Sequence, residues 1–386
     1  MSVDTLAIEN GNERYSSEQQ HLSPFEANEK RLEIDFLFIG NDEHFDPRKG
    51  LRLLSRKDVE SILPCTIVSQ ASGGHCDAYV LSESSLFIYP TKWIIKTCGT
   101  VGLFRCLPAL VSSARRIGLE VSRCEYSRSD YLFPHAQPFP HACFEAETSH
   151  LERELSENLG IELDEEASDA ISIHDWTSAA LERPDLPLRA WFAFEAIASK
   201  RTAQLKQQQQ IQEDDDDPNF FTRIEIRMTG LESCSACRFF HCFPCASEVD
   251  REKKNTVTSE IRKLLLTGIG NSDSENEHAV ASAADAHMFT PCGYSMNGFL
   301  ECGGFYTVHV TPQEPGSYAS VEIFGRESNV YANIQTLIRD VVGYFSPSRV
   351  MMVSRKCAKC AECAEWDVDF ENFRNTDYQK DATTIT

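Results

Sequence analysis

The stretch from Met288 to Glu322 restricts the fold most, because it reads as three β-rich runs punctuated by Gly or Pro turns: PCGYSMNG, GGFYTVHVTP and SYASVEIFG. The first third of the chain gives the same signal. Leu32–Ile39 (LEIDFLFI) alternates and then runs apolar, as a buried strand does. Leu86–Tyr89 and Trp93–Lys96 flank Pro90-Thr91-Lys92, a hairpin pattern. Further strands are expected at Trp191–Phe194 and Ile224–Met228, and helices at Val101–Ile117, Ser259–Leu266 and Val330–Phe345. Strands in both outer thirds with scattered helices imply an α+β architecture, antiparallel sheets with helices packed outside.

At 386 residues and 41% hydrophobic content, the chain can bury a sizeable core. Asp plus Glu number 59 against 37 Lys plus Arg, a net charge of -22. So acidic a surface repels phosphate backbones and anionic membranes, which excludes nucleic-acid and membrane partners from the expectation. The N-terminal residues are polar and acidic, without a secretory or transit pattern. A cytoplasmic location is therefore expected, with the 15 cysteines as reduced thiols. Residues 1–22 read as a disordered leader, 23–348 as the folded domain and 349–386 as a Cys-containing acidic tail. The low-complexity tract at 204–219 reads as a solvated insertion within the domain.

Leu81-Ser82-Glu83-Ser84-Ser85 is a polar run between strand-like residues, without the Gly or Pro of a plain loop. Alone it is no more than a polar strand edge or tight turn. A strained peptide bond before Ser, however, can undergo acyl transfer from nitrogen to the serine oxygen. Elimination and hydrolysis then leave a pyruvoyl group at a new N-terminus, and strain of that kind is what functional sites store.

Four separated blocks carry a family resemblance. They are Phe25-Glu26-x-x-Glu29-Lys30; Tyr79 to Ser85; Lys96-Thr97-Cys98-Gly99-Thr100; and Phe289-x-Pro291-Cys292-Gly293-Tyr294-Ser295-Met296-Asn297-Gly298 followed by His309-Val310-Thr311-Pro312. In order, spacing and identity this constellation, spanning Phe25 to Glu322, resembles the eukaryotic S-adenosylmethionine decarboxylases. The resemblance implies a four-layer αββα sandwich of two mainly antiparallel sheets flanked by helices. It also implies decarboxylation of S-adenosyl-L-methionine to the aminopropyl donor for spermidine and spermine, after cleavage between Glu83 and Ser84 into a β chain and an α chain.

By resemblance, Ser84 becomes the pyruvoyl cofactor and forms a Schiff base with the substrate amine, an electron sink for loss of CO₂. Cys98 is the proton donor, Glu26 and Glu29 are active-site carboxylates suited to a cationic sulfonium substrate, and Ser295 and His309 serve the processing reaction. Phe25 and Phe289 sandwich the adenine, and Leu81 belongs to the substrate site. Ala27 stands where the family usually has Gly, and Gln313, next to Glu314, stands where a Glu holds the ribose hydroxyls. No metal is assigned.

Arg31, after Lys30, follows the plant-like pattern, and Phe221 and Arg223 stand where animal members present Asp and Thr. Glu33, Lys96, Arg128, Glu225 and Glu322 match the family's buried charge network. Putrescine activation is not expected, since Arg31 and Arg223 bring the charge that putrescine would supply. Cys234-x-x-Cys237-x4-Cys242-x-x-Cys245 and Cys357-x-x-Cys360-x-x-Cys363 have paired spacing, but the separation between pairs is shorter than a zinc finger's. A catalytically inactive regulatory paralogue and a metal-binding interaction protein are the alternatives, and monomer and homodimer both stay open.

Overall fold

A computed structural model of the chain describes residues 25–39, 49–175, 189–201, 221–241, 248–268, 284–300, 303–326, 334–356 and 366–372. The expected leader, the low-complexity tract, Cys242, Cys245 and the C-terminal cysteine triplet lie outside them.

The first sheet has eight strands: β1 (Lys30–Phe38), β2 (Ile67–Ser72), β3 (Asp77–Leu81), β4 (Ser84–Tyr89), β5 (Lys92–Thr97), β6 (Leu119–Ser129), β7 (Asp169–Asp175) and β8 (Arg189–Ile197). Their order across the sheet is β2-β3-β4-β5-β1-β6-β8-β7. The second sheet has seven: β9 (Phe221–Leu231), β10 (Ala284–Met288), β11 (Tyr294–Phe299), β12 (Phe305–Thr311), β13 (Tyr318–Arg326), β14 (Pro347–Lys356) and β15 (Trp366–Asn372), in the order β10-β11-β12-β13-β9-β14-β15. Every pairing in both sheets is antiparallel.

Alternation along the strands builds the layers. On β1, Leu32, Ile34 and Phe36 join a core with helices α1 (Arg56–Ile62), α2 (Leu107–Arg116) and α3 (Phe144–Arg153), while Arg31 and Glu33 turn towards the second sheet. On β12, Tyr306, Val308 and Val310 pack under α4 (Glu248–Gly268) and α5 (Ile334–Phe345), while Thr307 and His309 turn towards the first sheet. Period-2 patterning thus gives each sheet one apolar outer face for its helices. The result is the expected αββα sandwich. Between the sheets the apolar cluster is small, including Phe87, Ile94, Phe299, Phe305 and Phe324, with Phe87 stacked on Phe305 at 3.8 Å. Most of the remaining inter-sheet space is filled by charge.

Several elements differ from expectation, two of them in ways that bear on the architecture. The helix expected from Val101 begins at Leu107, after a 3-10 turn at Leu103–Cys106, and Pro108 occupies the first turn, where its missing N–H costs no hydrogen bond. The segment expected as a tail from residue 349 instead supplies most of β14, which pairs with β9, and all of β15. Val350 and Val353 of β14 are buried, which anchors the strand in the sandwich.

Among the described residues no helix is long and apolar enough to cross a membrane. Among them, too, no group of three or more His, Cys, Asp or Glu could hold a metal ion, and Cys234 and Cys237 are exposed on a short helical turn.

Candidate active site

Ser84 opens β4 with a φ of 132°, a conformation L side chains avoid and one that costs about 1–3 kcal/mol. Ser82 and Glu83 form the tight turn before it, and antiparallel pairing of Leu81 with Ser84 closes that turn. The strained junction faces β12 of the other sheet. Ser84 Oγ lies 2.9 Å from Glu29 Oε1 and 3.2 Å from each ring nitrogen of His309. Glu29, just before β1, places the same Oε1 2.6 Å from His309 Nδ1. Its Oε2 accepts from Tyr318 at 3.1 Å and Ser320 at 2.6 Å, with Lys96 Nζ at 3.4 Å. Burial alone would raise the Glu29 carboxyl, but Lys96 and His309 outweigh it and hold it well below the usual carboxylate range. The serine hydroxyl is thus in contact with a buried carboxylate and a histidine.

The Glu83 carbonyl is gripped from the other side. Its oxygen accepts from the backbone N–H of Cys98 at 3.0 Å and from the Cys98 thiol at 3.5 Å. The turn after β5 that presents Cys98 depends on Gly99, whose φ is 62°. That turn is fixed by Gly99 N donating to the Glu26 carbonyl at 2.7 Å and by Lys30 Nζ and Gln137 donating to the Gly99 carbonyl. Burial, reinforced by the Glu83 and Glu29 carboxylates, pushes the Cys98 thiol well above its usual range, so it keeps its proton at neutral pH.

A cavity of about 240 Å³ opens onto this junction. Phe25, Phe289, Glu29, Cys98, Ser295 and His309 line it, together with Glu83, Ser84 and Gln313. Ser295 lies directly across the β11–β12 pair from His309. Three expected site residues stand outside the lining. Leu81 is fully buried in the core beneath the first sheet. Glu26 is buried with its carboxylate accepting from Asn28 N at 3.0 Å and Phe133 N at 2.8 Å, bracing the segment that leads to Glu29. Glu314 accepts from Ser317 at 3.3 Å. Within the charge network, Arg128 lies elsewhere than expected: it pairs with Glu147 at 2.7 Å on the helix side of the first sheet.

Several residues of the site had no role assigned from sequence. Ser85, Asn297 and Thr307 surround His309, and Tyr318 and Ser320 hold Glu29. The signal for them was strand alternation: Asn297 is two residues from Ser295, and Thr307 two from His309, so each shares its neighbour's face.

Comparison with known proteins covers the part of the chain that holds this site. The family described as adenosylmethionine decarboxylase matches residues 22–385. S-adenosylmethionine decarboxylase proenzyme 4 of Arabidopsis thaliana is 34% identical over 86% of this chain and 85% of its own length. The S-adenosylmethionine decarboxylase proenzyme of Catharanthus roseus is 36% identical over 84% of this chain and 77% of its own. Among solved structures, the Trypanosoma brucei AdoMetDC-delta26 monomer is similar at a TM-score of 0.42 and 18% identity, covering 70% of this chain and 79% of that one. A match that takes in both sheets and the strained junction, with plant relatives a third identical along most of their length, leaves one assignment: the chain belongs to the adenosylmethionine decarboxylase family and is of its plant-like type.

Proposed function

We propose that this chain cleaves itself between Glu83 and Ser84 and, with the pyruvoyl group so formed, decarboxylates S-adenosyl-L-methionine for polyamine synthesis. The observation that carries the proposal is Ser84 itself, strained at a φ of 132° with its hydroxyl 2.9 Å from Glu29. Ser84 Oγ attacks the Glu83 carbonyl carbon and its hydrogen passes towards Glu29. Negative charge developing on the Glu83 oxygen meets the Cys98 N–H, 3.0 Å away, and its thiol. The C–N bond breaks to give an ester and a free Ser84 amine. A base then removes the Ser84 α-hydrogen, the bond from Cβ to Oγ breaks, and Glu83 departs as a carboxylate. Hydrolysis of the resulting dehydroalanine releases ammonia and leaves the pyruvoyl group.

The residues around Ser84 suit that group and its substrate. When present, a pyruvoyl carbonyl supplies an electron sink for loss of CO₂ from an amino acid. Cys98, protonated and lining the cavity, is the proton donor to the substrate carbon. Phe25 and Phe289 line the cavity and are the aromatic rings available to the adenine, and Glu29 supplies negative charge for a cationic substrate. Gln313 is the cavity residue available to the ribose hydroxyls.

Denaturing intact-mass analysis of the purified protein, beside Ser84→Ala, tests the proposal. Two chains, one ending at Glu83 and one starting with pyruvoyl, are expected from the wild type and a single chain from the variant. A folded wild type that stays one chain overturns self-cleavage and favours an inactive paralogue.

A further inference from the structure

The hydrogen-bond arithmetic around His309 points to a residue that acts without touching the scissile bond. We propose that Asn297 is a positioning residue for self-cleavage, which sets the hydrogens of His309 through the hydroxyls of Ser85 and Thr307. The inference rests on the self-cleavage proposed above.

The side-chain amide of Asn297 has one orientation available, because its Nδ2 donates to the Tyr79 carbonyl at 3.0 Å. Its Oδ1 therefore faces the site, where it accepts from Ser85 Oγ at 2.7 Å and Thr307 Oγ1 at 2.8 Å. Each hydroxyl has a single hydrogen, and both are now committed. What Ser85 and Thr307 present to His309 Nε2, at 2.8 and 3.1 Å, is lone pairs. Nε2 must then carry a hydrogen. Nδ1 carries one too, since it lies 2.6 Å from the Glu29 carboxylate. The ring is thus held with both hydrogens in place, and all four polar groups are buried.

The other groups facing the ring agree with this count. Ser84 Oγ spends its hydrogen on Glu29 at 2.9 Å, so it also meets the ring as an acceptor. Lys96 from β5 and Tyr318 from β13 approach Glu29 from its far oxygen, and Cys98 lies across the cavity. A ring with both hydrogens is an acid first and a base second. As the Ser84 nitrogen leaves the Glu83 carbon it takes a hydrogen from His309, while Glu29 takes the hydrogen of the Ser84 hydroxyl. One hydrogen lighter, the ring is then able to accept the Ser84 α-hydrogen in the elimination, which restores its original count.

The test is single-turnover self-cleavage of freshly translated precursor, followed by denaturing mass analysis from about pH 5.5 to about 9, a range spanning the ordinary titration of histidine. Wild type, Asn297→Ala and Thr307→Val are compared. Asn297→Ala frees the two hydroxyl hydrogens to turn towards Nε2 and Thr307→Val removes one of its acceptors; either change loosens the ring's second hydrogen, so any step governed by it, acid or base, shifts to lower pH. Asn297→Ala is expected to slow cleavage roughly tenfold or more, as loss of aligned proton transfer does. Both variants are expected to move the pH of half-maximal cleavage downwards. Thr307→Val keeps the side chain's shape, so it decides the matter alone if Asn297→Ala does not fold. Wild-type rates and an unmoved midpoint in folded variants overturn the inference, as does an equal loss at every pH, the mark of a merely structural role. A wild type that never cleaves is a separate result and overturns the self-cleavage proposal as well.

Discussion

Cys98 meets the scissile junction through its backbone and through its thiol. Its backbone N–H holds the Glu83 oxygen at 3.0 Å, while its thiol lines the cavity, with its proton retained by burial. Cys98→Ala keeps the N–H donor and removes the thiol, which is the longer of the two contacts to that oxygen at 3.5 Å and the group that lines the cavity. The variant is expected to go on producing two chains while decarboxylation falls about 10²–10⁴-fold, the usual worth of a general acid. Intact mass and CO₂ release on one preparation check both halves. Asp130, just after β6, makes a different prediction. Burial raises its carboxyl from 3.8 to about 7, so the folded protein keeps a proton that the unfolded chain has lost. Between about pH 4 and pH 7 the folded state binds more protons, and this group's contribution to stability therefore falls as pH rises. Asp130→Asn should flatten that fall and be the more stable form at pH 8, which urea midpoints at pH 5 and 8 will show.

The turn after β5 is where backbone conformation governs the site most directly. At Gly99 a Cβ would lie 3.0 Å from Glu83 Oε2 and 3.2 Å from the Phe25 ring, on a backbone with φ of 62°. Gly99→Ala is expected to cost about 1 kcal/mol from that conformation alone and to slow self-cleavage by displacing the Cys98 donor. Urea unfolding beside the cleavage time course measures the two effects. Strands like β5 were legible as β-rich runs beside turn signals: the hairpin of β4 and β5 stands where Pro90-Thr91-Lys92 marked it, and β9 and β12 contain the runs read as strands. α4 reaches back to Glu248, well before the expected Ser259, because its first half buries only one apolar side chain, Val257, and so lacks a periodic signal. β14 was hidden for another reason. Its sequence, PSRVMMVSRK, places Arg355 in the charged layer, and a strand that buries an arginine does not look like core. The same limit applied to the site. Ser84, Cys98 and His309 stood in motifs with a role attached, whereas Asn297, Thr307 and Ser320 matter through contacts across strands and sheets: alternation gives the face they share, and pairing register gives the partner.

Across the whole molecule, the space between the sheets works as a closed electrostatic layer. Among the described residues, Arg31, Lys92, Lys96, Arg123, Arg223, Arg227 and Arg355 face Glu29, Glu33, Asp35, Glu125, Glu195, Glu225 and Glu322, seven Lys and Arg side chains for seven carboxylates, with His309 beside Glu29 as well. Burial, and then the neighbouring Arg31, draw the Arg223 guanidinium down to about 10. A diamine would add two more positive charges to a layer already balanced, so added putrescine is expected to leave both cleavage and decarboxylation unchanged. Steep activation would show that a carboxylate in this layer lacks its partner. Glu125 is the member on which the balance turns. One oxygen meets Arg223 at 2.6 Å and Arg31 at 3.5 Å, and the other meets Arg123 and Arg355. Glu125→Gln keeps the shape but leaves four guanidinium groups without their shared charge, and breaking a buried pair in this way costs about 3–5 kcal/mol. Adding Arg223→Met to that variant removes one of the stranded cations and should recover part of the loss. Urea unfolding of the wild type, both single variants and the double variant gives the coupling directly. Simple addition of the two losses would mean that the charges act separately; a double variant more stable than Glu125→Gln alone would mean that balance across the layer, more than any one contact, holds the sheets together.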